Sequence, residues 1–118
     1  MGYTGAYSLG TRCLTEFLST FMAIGMGEGM LANELLPSTK GHAFGFGFVA
    51  FGFAMSFTVA IMMFGYASAH LNPAMCLALW IKGSLSFTDF LALSLSELAG
   101  GAAAANFVYI MYLPHFRT

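Results

Sequence analysis

Charge is what this sequence has least of. Only 8% of its 118 residues are charged, with 4 basic and 5 acidic side chains, whereas about 25% of an ordinary soluble domain is charged. The net charge of -1 provides no basic patch for nucleic acid, which needs clustered Lys and Arg. Paired acids beside a nucleophile, metal-ligand spacings and phosphate-binding loops are also missing from the sequence pattern, so we expect no enzyme activity and no cofactor.

Cysteine is scarce as well. The two cysteines, Cys13 and Cys76, stand alone in apolar runs, without a C-x-x-C spacing or a Cys/His cluster. The sequence therefore predicts neither a disulfide nor a metal site. Both cysteines are expected to be small buried hydrophobic residues.

Apolar residues are abundant, at 58% of the chain, which indicates an all-α, multi-pass integral membrane protein. Three runs are long enough to cross a hydrocarbon core of roughly 30 Å at about 1.5 Å per helical residue. We predict spans at about 13–36, 43–67 and 87–113, and a shorter apolar helix at about 72–82. Thr88 or Asp89 is expected to cap the third span. The basic residues divide evenly between the two sides and do not orient the chain.

The short helix follows a polar interruption in the apolar pattern. Asn72 is suited to cap its N-terminus, and Pro73 then takes the first helical position, where its missing N–H costs nothing. The alternative is a proline kink in one long helix. Because Ser68, His70 and Asn72 arrive together, the sequence favours a re-entrant half-helix with its positive end inside the membrane.

The residues immediately before Pro73 are expected to be extended, because proline disfavours helix in the residue that precedes it. Carbonyl groups of an extended segment at 67–71 can point sideways as a ladder of acceptors. Together with the Asn72 amide, they suit water or a hydroxylated neutral molecule. Cations and protons are disfavoured by the helix end.

The second predicted span carries a stripe of small residues at helical spacing. Such a stripe suits either close helix packing or a pore wall, and the spacing alone leaves both open. The stripe consists of Gly45, Val49, Gly52, Ser56, Ala60 and Ala67.

Three motifs give the chain a family resemblance. The stretch 68–74, Ser-Ala-His-Leu-Asn-Pro-Ala, together with 15–20 and 96–100, resembles the N-terminal half of the aquaporin or major intrinsic protein family, in particular its glycerol-conducting members. The resemblance implies one inverted repeat of three spans and a re-entrant half-helix. A second Asn-Pro-Ala is missing from these 118 residues. We therefore expect a second half to complete the channel, and a homotetramer in the bilayer.

The resemblance also implies roles for the residues of the box. Asn72 is expected to be a pore asparagine, while Pro73 and Ala74 hold the half-helix tip. His70 and Leu71 are expected to line the adjoining half of the pore, His70 chiefly through its backbone carbonyl.

A selectivity position is implied on the second span. Counted back from His70 without a gap it falls on Gly52, with Ser56 below it, and this would give a wide mouth for glycerol or urea. A one-residue shift instead places Phe51 there, as an aromatic filter. The sequence leaves both alignments open.

Two buried acids are expected to act as structural polar anchors. The resemblance implies that Glu16 accepts hydrogen bonds from loop amides. Glu97 stands where the family commonly has glutamine.

The function that the resemblance implies is a passive channel for water and small uncharged solutes such as glycerol. The alternative is a non-conducting structural membrane protein of the same fold.

Overall fold

The computed structural model describes residues 7–117, and this part of the chain contains helices and no strand. The ends of the predicted domain, 1–6 and 118, lie outside the described residues. The helices are α1 (Leu9–Leu35), α2 (Phe46–Phe64), α3 (Pro73–Lys82), α4 (Phe87–Met111) and the single turn α5 (Leu113–Phe116).

Two of these helices, α2 and α4, are long and apolar enough to cross a membrane. The longest helix, α1 with 27 residues, is not one of the two, and it carries Arg12 and three glutamates. Helix α3 has 10 residues and is too short to span. This all-helical arrangement confirms the all-α part of the predicted fold class.

Helix α1 lies at the centre and packs against both α2 and α4, while α3 packs against α4. Small residues permit the close approach. A Cβ atom added at Gly100 of α4 would lie 2.5 Å from the Phe17 carbonyl oxygen of α1. A Cβ atom added at Gly27 of α1 would overlap the Phe53 ring of α2. Glycine is therefore needed at both contacts.

The small-residue stripe of α2 is a packing surface in this structure. Its helical members Val49, Gly52, Ser56 and Ala60 are the buried residues of α2. Gly52 faces Met30 of α1, whose sulfur occupies the space that a Cβ would need. Within the described part of the chain, this stripe therefore packs on α1, and its predicted role at a pore stays a prediction.

Helix α3 begins as the sequence predicts. The Asn72 side chain accepts a hydrogen bond from the Ala74 amide at 2.9 Å, and Pro73 lies in the first turn, which confirms the predicted cap. The predicted cap of α4 is wrong. Ser86, not Thr88 or Asp89, accepts the capping bond from the Asp89 amide at 3.1 Å, because the helix already begins at Phe87.

The segment before α3 differs from the extended ladder that the sequence predicts. Leu71 has a φ of 67° and lies in the left-handed region, while Asn72 is extended. The expectation of an extended segment is therefore wrong at Leu71. The physical reason is a buried carboxylate that pulls two successive amides to one point.

Candidate functional site

Glu16 of α1 is that carboxylate. It is fully buried and accepts hydrogen bonds from the His70 amide at 2.9 and 3.0 Å and from the Leu71 amide at 3.2 Å. The Ser68 hydroxyl donates to it at 2.5 Å. His70 Nδ1 lies 3.0 Å from Glu16 Oε2. A buried carboxylate is tolerable only with such partners, so Glu16 fixes the path of the chain into α3.

The left-handed Leu71 is part of this arrangement. A change of backbone conformation between neighbouring residues allows consecutive N–H groups to converge on one anion. A non-glycine residue in this region costs about 1–3 kcal/mol. The bonds from His70 and Leu71 to Glu16 offset that cost and hold Asn72 at the start of α3.

The tip of α3 is the open end of the site. Asn72 and Ala74 are exposed and Pro73 is partly exposed. The first backbone amides of a helix have no partner within the helix, and the helix dipole makes this end positive. The arrangement can therefore present an amide group and a positive helix end to a polar neutral ligand.

Of the other residues predicted to line a pore, all but the alternative Phe51 are buried within the described part of the chain. The His70 side chain is 4% exposed, and Leu71 packs in a core cluster with Ala23 and Ala60. Gly52 and Ser56 are buried on α2. The Phe51 side chain lies on the neighbouring face of α2 and is 64% exposed.

Glu97 and Cys76 form the side of the site that lies toward α4. Glu97 is 1% exposed, and its Oε2 accepts a hydrogen bond from Cys76 Sγ at 3.2 Å. Cys76 Sγ also lies 3.5 Å from His70 Nδ1. From the sequence, Cys76 is expected to be an isolated apolar residue. In the structure it instead contacts Glu97 and His70.

Only the proximity of His70 and Cys76 could have been predicted from the sequence. His70 and Cys76 are six residues apart, and the predicted start of α3 already places Cys76 in the first turns of that helix. Glu97 comes to them through the packing of α3 on α4, which a single sequence does not determine.

These features define the class of the protein. A helical bundle with apolar helices of spanning length and buried, hydrogen-bonded acids is typical of an integral membrane protein.

The profile of the family described as Major intrinsic protein matches residues 6–118. The chain therefore belongs to the major intrinsic protein family and is an integral membrane protein, which confirms the family indicated by the Asn-Pro-Ala box.

Three curated relatives are similar to most of this chain. A probable glycerol uptake facilitator protein of Thermotoga maritima is 32% identical over 88% of this chain and 45% of its own length. Glycerol uptake facilitator protein 4 of Lactiplantibacillus plantarum is 38% identical, over 89% and 43%. The D/L-lactic acid transporter of the same organism is 34% identical, over 90% and 44%.

The chain thus spans a little under half the length of the curated relatives it matches. These relatives carry the names of facilitators and a transporter, which agrees with the prediction that the chain is not an enzyme.

Proposed function

We propose that this chain forms one half of a passive transmembrane channel for glycerol and other small uncharged solutes. The observation that carries the proposal is the exposed tip of α3, where Asn72 caps the helix and buried Glu16 holds the preceding loop. An amide side chain at a helix N-terminus can bind hydroxyl groups. The positive end of the helix dipole disfavours cations. The names of the facilitator relatives support glycerol as a solute.

The proposed topology has α1, α2 and α4 crossing the bilayer and α3 entering it from one side. Helix α1, with 27 residues, is about 40 Å long, and α3, with 10, is about 15 Å, half of a hydrocarbon core of about 30 Å. Burial of Arg12 and Glu16 supports a spanning α1, because these charged groups face protein rather than lipid.

A second half of the same fold, in inverted orientation, is proposed to cover the tip. Exposed Asn72 and the free amides of α3 would be costly in lipid, which offers no hydrogen-bond partner. An equivalent tip meeting this one would enclose a pore.

A homotetramer in the bilayer is proposed on a separate observation. Helix α2 exposes bulky apolar side chains that suit lipid or neighbouring subunits. These side chains are Phe46, Met55, Ile61, Met62 and Met63.

Phe51 rather than Gly52 is proposed to narrow the pore mouth. Gly52 has Met30 against it and Ser56 is buried, so we assign both to packing of α2 on α1. Phe51 projects from the open face of α2. A ring at this position would restrict passage to slender molecules such as water and glycerol.

Reconstitution in lipid vesicles tests the channel. The purified chain is expected to raise glycerol permeability above that of empty vesicles, and water and lactic acid are measured in parallel. Asn72→Ala is expected to lower the glycerol rate at least tenfold, whereas Asn106→Ala, at an exposed asparagine of α4, leaves it unchanged.

The alternative function predicts a different result. If a folded, membrane-inserted complex that contains both halves gives no permeability above empty vesicles to any of the three solutes, the non-conducting structural role is correct. Native mass spectrometry of the same sample shows whether a second copy supplies the other half and whether the complex contains four equal units.

A further inference from the structure

Three unlike ligand groups meet inside the bundle, at the junction of the 68–72 segment with α3 and α4. His70 Nδ1, Cys76 Sγ and a Glu97 carboxylate oxygen all lie within 4.8 Å of one another. All three side chains are buried, with Cys76 at 0%, Glu97 at 1% and the His70 side chain at 4% exposure. Imidazole, thiol and carboxylate together are the donor set that zinc takes in proteins.

The spacing of these atoms resembles a tetrahedral site. With Zn–S about 2.3 Å and Zn–N or Zn–O about 2.0–2.1 Å, neighbouring ligand atoms lie about 3.3–3.7 Å apart. Cys76 Sγ is 3.5 Å from His70 Nδ1 and 3.2 Å from Glu97 Oε2. Glu16 Oε2 lies 3.0 Å from His70 Nδ1, but it already accepts hydrogen bonds from the Ser68 hydroxyl and the His70 amide. Water would therefore take the fourth position of a tetrahedral ion. The third pair, His70 Nδ1 and the Glu97 oxygen, lies within 4.8 Å and would have to draw closer around the ion.

An unsatisfied atom points to the same place. Glu97 Oε1 is buried and has no hydrogen-bond partner among the described residues, although its partner oxygen is bonded to Cys76. Buried polar atoms without a partner are rare, because each forfeits its hydration. A cation bound beside Glu97 would remove this deficit.

Charge also balances at the cluster. A Cys76 thiolate and a Glu97 carboxylate neutralise the two charges of a zinc ion, and His70 contributes a neutral imidazole. The Glu16 carboxylate stays outside the ligand set, because it already receives the His70 and Leu71 amides. An ion that leaves little net charge costs least in a low-dielectric interior.

We propose that His70, Cys76 and Glu97 bind one zinc ion, which ties the segment before α3 to the first turns of α3 and to α4. The thiol proton is released on binding, since the thiolate is the ligand. The site does not depend on conduction, because its role is to fix the loop before α3.

Metal binding to the purified chain in detergent micelles tests the proposal, with Zn²⁺ alone for affinity and Co²⁺ for its thiolate absorption. We expect one zinc per chain, a cobalt–thiolate band, and a higher melting temperature with zinc. Cys76→Ser is expected to lower zinc affinity at least tenfold and abolish the band. Cys13→Ser, which removes the other thiol, is the matched control and retains both.

Glu97→Gln keeps the shape of the side chain and serves where Cys76→Ser does not fold. It too is expected to lower zinc affinity at least tenfold and to remove the rise in melting temperature. Equal zinc affinity in the parent chain and either cluster variant, or a parent without the cobalt–thiolate band, would overturn the proposal.

Discussion

Glu16 is the residue on which the chain path into α3 depends. Its carboxylate receives the Ser68 hydroxyl and the His70 and Leu71 amides in a fully buried position. No other side chain in the described part of the chain accepts two loop amides before α3. The local conformation of the segment is therefore determined from α1, far away in sequence.

Glu16→Gln is expected to destabilise the fold by about 2–3 kcal/mol, because the new amide NH₂ faces donors and leaves buried groups unpaired. The measurement is the unfolding free energy in mixed detergent micelles. Glu28→Gln is the control, since Glu28 lies on the same helix and is partly exposed. Equal stability of the two variants would show that the loop does not need the carboxylate.

At the residue scale, the helix start at Asn72 can be predicted from local sequence alone. An asparagine followed by proline predicts a helix start without reference to any other part of the chain, and the structure confirms it. Leu71 is the opposite case. Nothing in a leucine predicts a positive φ, and its conformation follows from the bonds to Glu16.

At the scale of the helices, the contact of α1 with α4 depends on Gly100. An added Cβ would lie 2.5 Å from the Phe17 carbonyl oxygen and 3.2 Å from Thr20 Cβ. The neighbouring Gly101 leaves an ordinary distance of 3.9 Å to Thr20 Cγ2. Two adjacent glycines therefore have different roles in the packing of α1 on α4.

Gly100→Ala is expected to cost about 1–3 kcal/mol of stability, because a backbone oxygen cannot move aside without separating α1 from α4. Gly101→Ala is expected to change stability by no more than about 0.5 kcal/mol. Melting temperatures of the two variants in the same detergent provide the comparison. A loss at Gly101 as large as at Gly100 would contradict this packing.

At the scale of the whole molecule, α1 is joined to α4 at both of its ends. Near its start, Arg12 Nη1 lies 3.1 Å from Asp89 Oδ2. Near its end, Asn33 Nδ2 donates to the Tyr112 hydroxyl at 2.5 Å. The two contacts are about 30 Å apart along α1 at 1.5 Å per residue, so they share no partner.

Asp89→Asn is expected to cost about 2 kcal/mol, because it leaves the buried Arg12 without a counter-ion. Tyr112→Phe is expected to cost about 1 kcal/mol for the lost hydrogen bond. Because the sites are distant, the double variant should show the sum within about 0.5 kcal/mol. Unfolding titrations of the four proteins form the cycle, and a larger deviation would mean that the two ends are coupled.

The sequence by itself determined the membrane class, the helical fold and the start of α3, because hydropathy, length and helix capping are local properties. Only the tertiary structure decided the rest. It placed Gly52 against Met30, and it gathered His70, Cys76 and Glu97 into one cluster beside Glu16. These contacts join α1, the segment before α3, and α4 across long sequence separations. Helix packing creates these contacts, so they cannot be predicted from the spacing of residues along one chain.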